Sequence, residues 1–325
     1  MKKLLLFLIL VGFFIWTLFP REPGVEISKE FLIEKGDSIW EIASSLQKED
    51  LIKNRFSFIL YLFLKGRTRD VKAGYYLLSP SLSVFEITKK LVEGETIKEK
   101  MTIIEGWSKK DIADYLEERG ICSGAEFLKT IKLENWKEDY NFFKENIVTE
   151  DIEGYLFPDT YFVEKESSCE QLVRQILENF DGKLDFEMKR EIFTQKKKIF
   201  EIVTMASLIE KEVKTFGEKK LVSGILWKRL ENDIPLQVDA TISFITGKKT
   251  TKVSKEETEI DSPYNTYKYK NLPKGPICNP GLGSIKAAIY PEDSEYWYYL
   301  STPSGETIFS KTLKEHNIAK AKFLK

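Results

Sequence analysis

Lys198-Ile199-Phe200-Glu201-Ile202-Val203-Thr204-Met205-Ala206-Ser207-Leu208-Ile209-Glu210-Lys211-Glu212-Val213 contains neither proline nor glycine. It reads as one buried helix. At about 100° per residue, Ile199, Ile202, Val203, Ala206, Ile209 and Val213 share an arc, and Glu210 falls inside it. Glu201 and Glu212 fall roughly on the other side, where they can reach water. A carboxylate among apolar side chains is costly, so such a group is either paired or holds its proton to higher pH. A glutamate still protonated near neutrality can serve as a general acid. A structural glutamate, paired with a lysine or capping a neighbouring element, fits the same periodicity.

Working outward, the composition removes several chemistries. Acidic and basic residues nearly cancel, 51 against 50, so nothing points to a nucleic-acid partner. With 42% hydrophobic residues the chain can build a core under a densely charged surface. Cys122, Cys169 and Cys278 are far apart, and no pair has metal-ligand spacing. The odd count leaves at least one thiol free if the chain is exported, and core or surface packing is the expected use of all three. His316 is the only histidine. Any Ser-His-Asp or Cys-His arrangement would have to run through it, and on a helix it reads as a packing or capping residue. Neither metal nor cofactor is expected, so acid–base work falls to Glu or Asp.

Met1-Lys2-Lys3 precedes an apolar run from Leu4 to Phe19, which ends at Pro20-Arg21. A basic start before a hydrophobic segment reads as a signal peptide or a signal anchor. No small-x-small cleavage site follows. The expectation is an uncleaved single-pass anchor over residues 1–21, with the N-terminus in the cytoplasm and the remainder outside the cytoplasmic membrane.

Residues 22–97 read as a small module. Val25-Glu26-Ile27 and Phe31-Leu32-Ile33 look like short strands. Ser38 with Glu41 forms a capping box ahead of Ile39 to Leu46. Helices are expected from Arg55 to Leu64 and from Ser83 to Leu91, with a strand over Ala73 to Leu78. The pattern from Gly36 to Leu46 resembles the LysM module, a small sugar-binding βααβ unit. A spacer that keeps the fold without the ligand groove is the alternative.

Residues 98–325 read as a mixed α+β domain. A strand is expected at Lys98 to Ile104, then helices from Ser108 and Ser123, at Cys169 to Phe180, at Phe186 to Gln195 and at Glu218 to Leu230. Lys196-Lys197-Lys198 reads as the solvated start of the Glu210 helix. Around Glu153-Gly154-Tyr155-Leu156-Phe157-Pro158-Asp159-Thr160-Tyr161, Glu153 and aromatics such as Tyr155 can meet sugar hydroxyls and ring faces; a core-packed turn is the alternative. Asp239 either caps the helix that follows it or faces a site. Lys248 to Glu259 is polar and reads as an exposed loop. The Gly- and Pro-rich stretch from Asp261 to Pro291 is long enough to be functional, and Tyr264, Asn265 and Asn279 lie in it. A hairpin about Pro303-Ser304-Gly305 and a helix over Thr312 to Phe323 close the chain.

Several of these segments together resemble the MltG/YceG-like endolytic murein transglycosylases. They are Glu153 to Tyr161, Ala206-Ser207-Leu208-Ile209-Glu210-Lys211-Glu212, Leu236-Gln237-Val238-Asp239-Ala240-Thr241, Ser262 to Tyr267, Leu272 to Ile277 and Asn279-Pro280-Gly281, followed by Ser284 to Ala288 and Glu315-His316-Asn317. Val238, Ala240 and Cys278 depart from the common pattern. The resemblance implies a catalytic Glu210 that protonates the glycosidic oxygen between N-acetylmuramic acid and N-acetylglucosamine. It then takes the proton of the muramoyl 6-hydroxyl and leaves a 1,6-anhydro end. Glu153, Tyr155, Gln237, Asp239, Tyr264, Asn265 and Asn279 are then expected along the glycan groove, with Asp239 opposing developing positive charge and Glu212 as another assistant. The implied partners are peptidoglycan strands, the cytoplasmic membrane and cell-wall synthases. A muramidase-type hydrolase using Asp239 or Glu153, or a non-catalytic glycan-binding scaffold, are the alternatives. The expected fold class is α+β: an N-terminal anchor, a LysM-like module and a catalytic domain.

Overall fold

The computed structural model describes residues 1–25, 27–144, 147–165, 167–248 and 253–323. The chain forms two compact units, Met1–Lys100 with Phe162–Ser167, and Met101–Tyr161 with Ser168–Lys325.

The first unit opens with α1 (Lys2–Leu18), and here the expectation of an N-terminal membrane anchor is corrected. Among the described residues no helix is long and apolar enough to cross a membrane. α1 ends after 17 residues because Phe19, placed before Pro20, turns extended at φ −75° and ψ 158°. At 1.5 Å per residue the helix falls short of a hydrocarbon core of about 30 Å. Its last turn is also tied down: Thr17 is buried, and its hydroxyl donates to Ser57 Oγ at 2.7 Å.

The rest of that unit runs β1 (Lys29–Ile33), α2 (Ile39–Lys48), α3 (Arg55–Leu64), β2 (Gly74–Leu78) and α4 (Val84–Glu93). Ser38 and Ser83 each complete a reciprocal capping box, with Glu41 and Glu86, satisfying two otherwise orphaned N–H groups per helix. β1 and β2 pair antiparallel with Phe31 opposite Tyr76. Alternate strand residues turn inward, so Phe31, Ile33, Tyr76 and Leu78 meet Ile42, Leu46, Phe58, Leu62 and Ile87 in one core. The short strand expected at Val25 to Ile27 is absent at Val25 and Ile27, and Glu26 lies outside the described residues.

β3 (Lys98–Thr102) and β4 (Thr160–Glu164) pair in a two-stranded sheet. The second unit continues with α5 (Lys109–Glu118), α6 (Gly124–Thr130), α7 (Cys169–Lys183), α8 (Phe186–Thr194), α9 (Ile199–Glu212), α10 (Phe216–Glu231), α11 (Asp239–Thr246) and α12 (Leu282–Ile289). The hairpin of β5 (Tyr298–Ser301) and β6 (Thr307–Ser310) then leads to α13 (Leu313–Phe323). α9 is the hub, with α8, α10, α11 and α12 packed against it. Ile202 through Ile209 are all buried, so this helix is covered on every side. Its polar members are satisfied: Thr204 Oγ1 donates to Phe200 O, and Ser207 Oγ donates to Thr204 O while accepting from Ile277 N.

Three smaller readings change. Cys122 and Cys169 form a disulfide with their Cα atoms 5.7 Å apart, and Cys278 is free and buried; packing alone therefore describes only Cys278. Lys197 is not simply solvated, because its ammonium lies 3.8 Å from the Trp227 ring centroid. In the polar stretch from Lys248 to Glu259, residues 249–252 lie outside the described residues, and Glu257–Glu259 form a short 3-10 turn. His316 is buried, with its ring stacked on Tyr298.

Candidate active site

Glu210 sits in the last turn of α9 with its side chain 9% exposed. Lys219 Nζ donates to its Oε1 at 2.9 Å. Gly281 N and Ser284 Oγ donate to its Oε2 at 2.9 and 2.7 Å. Of the two possibilities left open by the periodicity, pairing is the one observed. Two devices place these donors. A capping box of Thr215 and Glu218 starts α10 directly after α9, so Lys219 lies in the turn that doubles back on Glu210. Gly281 is the N-cap of α12, so the carboxylate sits where free N–H groups and the helix dipole favour negative charge.

The loop that presents Gly281 is fixed through Asn279. Its main chain exchanges two bonds with the 106–107 turn: Gly106 N donates to Asn279 O at 2.9 Å, and Asn279 N donates to Trp107 O at 2.8 Å. Its side-chain oxygen accepts from Gly154 N and Leu156 N, and its amide donates to Trp107 O and Glu153 Oε1. Glu153 in turn accepts from Lys109 N at 2.9 and 3.0 Å at the start of α5. Burial pushes the Glu153 carboxyl up to about 8, against the opposing pull of the Lys109 N–H and ammonium.

The expected site residues thus divide by place. Glu153, Tyr155, Asn265 and Asn279 are buried, at 3%, 1%, 0% and 0% exposure. Tyr155 stacks on Phe142 and meets Phe143 and Phe180 edge-on. Asn265 binds its own loop, donating to Thr258 O and Ile260 O. Tyr264 is half-buried with its ring against Phe244. Gln237 and Asp239 are exposed. Gln237 Oε1 accepts from Arg229 Nη2 at 2.8 Å, and Tyr267 donates to Asp239 Oδ1. Asp239 is the first residue of α11 rather than its cap. Glu212 shares this second cluster and does not look freely into water. Burial pushes its carboxyl up to about 7; Asp239 adds to the rise and the Tyr299 hydroxyl opposes it.

The profile of the YceG-like family matches residues 31–322. The chain belongs to the YceG-like family. It is similar to the endolytic murein transglycosylase of Bacillus subtilis, 33% identical over 98% of this chain and 91% of that protein. It is also similar to the endolytic murein transglycosylase of Streptococcus pneumoniae, at 30% identity over 88% of this chain, which spans only 56% of that longer protein. The crystal structure of a yceG-like protein from Listeria monocytogenes shares 34% identity and a TM-score of 0.63, covering 91% of this chain and 100% of that one.

For this YceG-like chain, three contacts of Glu210 carried no role in the sequence. Gly281 and Ser284 stand in segments with a recognisable pattern, but their hydrogen bonds span more than 70 positions. Lys219 had a local signal: the Thr215-x-x-Glu218 cap fixes the helix start, and with it the return of Lys219 toward the end of α9.

Proposed function

We propose that this YceG-like chain is a lytic transglycosylase that cuts peptidoglycan strands internally at the β-1,4 bond following N-acetylmuramic acid. The supporting observation is the setting of Glu210: one carboxylate at a helix N-terminus, nine-tenths shielded, with a serine hydroxyl on one oxygen and an ammonium on the other. A serine hydroxyl can donate to an ionised carboxylate or accept from a protonated one, so Ser284 suits both halves of a proton-return cycle. In the first half Glu210 delivers a proton to the glycosidic oxygen as the C1–O bond breaks. In the second it takes the proton of the muramoyl 6-hydroxyl as that oxygen bonds to C1. No water is consumed, and one carboxyl group returns to its starting state.

Gln237, Asp239 and Tyr264 offer polar groups to the glycan in this reading, Glu153 and Asn279 hold the loop that presents Gly281 to Glu210, and Tyr155 and Asn265 are buried. The Cys122–Cys169 disulfide supports work outside the cytoplasm, where such bonds persist and where peptidoglycan lies. Digestion of purified peptidoglycan by the wild type and by Glu210→Gln tests the proposal. Anhydromuramoyl ends from the wild type and none from the variant are expected. Reducing ends without the anhydro sugar mark a hydrolase instead, and full cleavage by the variant removes Glu210 from the chemistry.

A further inference from the structure

Glu105 lies against Gly281, the glycine that hydrogen-bonds Glu210. It precedes Gly106 in the turn that Asn279 fastens down, and it is exposed. Its side chain lies flat over Gly281, so that Glu105 Oε1 occupies the place a β-carbon on Gly281 would take. The same Gly281 donates its N–H to Glu210 Oε2. One glycine therefore separates the two carboxylates, and standard backbone dimensions put their oxygens within about 7 Å of each other. The neighbouring glycine serves the same approach. Gly106 has φ +80°, and a β-carbon there would lie 3.6 Å from Glu210 Cγ, so the turn rests directly on the side chain it covers.

The two carboxylates are in different states of use. Both oxygens of Glu210 accept hydrogen bonds from the protein. Glu105 is exposed and lies beside Lys211, whose ammonium is 3.6 Å from the β-position of Gly106. A glycosidic bond breaks through a state with positive charge at C1 and the ring oxygen, and a carboxylate within a few ångströms stabilises that charge.

We propose that Glu105 is a second catalytic carboxylate, which contacts the reacting muramoyl ring and opposes the positive charge that develops as the C1–O bond breaks. It forms no covalent bond and moves no proton; both proton transfers stay with Glu210. The proposal rests on the transglycosylase reading of Glu210.

The test compares the full chain, Glu105→Gln and Glu210→Gln on soluble, uncrosslinked peptidoglycan strands. Glu105→Gln is expected to lower kcat about 100-fold with KM within about threefold of wild type, and its residual products keep anhydro ends. An unchanged kcat, or a raised KM with kcat kept, overturns the role of Glu105 while wild-type anhydro ends and an inactive Glu210→Gln leave the underlying reading standing. Absence of anhydro ends from the wild type overturns both. Melting curves accompany the kinetics. Where Glu105→Gln melts below the wild type, Glu105→Asp is read in its place: more activity than the glutamine variant supports the charge role, and equal loss overturns it.

Discussion

At the scale of single residues, the pair of Glu210 and Lys219 dominates. The two side chains are 9% and 7% exposed and 2.9 Å apart. Removing one partner of a buried pair leaves an uncompensated charge, whereas replacing both can be nearly neutral. Glu210→Gln should therefore cost on the order of 3 kcal/mol of stability as well as cleavage. Adding Lys219→Met should recover most of the stability and none of the activity, as urea melts arranged in a double-mutant cycle will show. A double variant no more stable than Glu210→Gln would mean that the ion pair is not what Lys219 contributes. The sequence placed Glu210 on an apolar arc, but the arc was not the deciding signal. Every residue from Ile202 to Ile209 is buried, so periodicity on this helix separates little, and Glu212 is shielded too.

At the scale of elements, much of the fold follows from local rules. The capping boxes at Ser38, Ser83 and Ser108 start helices where the sequence places them, because a cap needs only residues three apart, whereas the box of Thr215 with Glu218 starts α10 at Phe216, ahead of the expected Glu218. The closing hairpin follows likewise. What local rules cannot supply is the bracing of the Glu210 loop. Asn279 reaches Trp107 and Glu153 across 172 and 126 positions, and no short pattern encodes such pairings. Asn279→Ala leaves the N–H groups of Gly154 and Leu156 and the Glu153 carboxyl short of partners in a buried place. With unsatisfied groups costing about 1–3 kcal/mol each, a loss of at least about 3 kcal/mol is expected in denaturant melts. Cleavage should fall with it, because the Asn279 side chain braces the loop that presents Gly281 to Glu210. A variant that melts like the wild type would show that neighbouring contacts suffice.

At the scale of the whole molecule, the buried Glu153 and the half-buried Glu212 set a pH dependence. Burial raises Glu153 from an ordinary 4.5 to about 8 and Glu212 to about 7. Across that window the folded chain holds protons that the unfolded chain has released, so stability falls as pH rises. Their contribution is complete below about pH 4.5 and lost as pH passes through 7 for Glu212 and 8 for Glu153. Urea midpoints should drop between pH 5 and 9, and Glu153→Gln and Glu212→Gln should each flatten the drop. A midpoint that climbs over this range would contradict the assignment. The mixed α+β class was readable from alternating strand and helix signals, whereas the anchor was expected from a basic start, an apolar run and the lack of a cleavage site. The extended residue ahead of Pro20 ends α1 at Leu18, and among the described residues no helix is long and apolar enough to cross a membrane. The Cys122–Cys169 bond has a consequence for the chain as a closed curve. The stretch between the two cysteines is a covalent ring, and residues 162–167, which belong to the first unit, form part of its rim. A cut in any peptide bond along that rim opens the ring without parting the molecule, because the two stretches of the second unit on either side of it stay joined through sulfur.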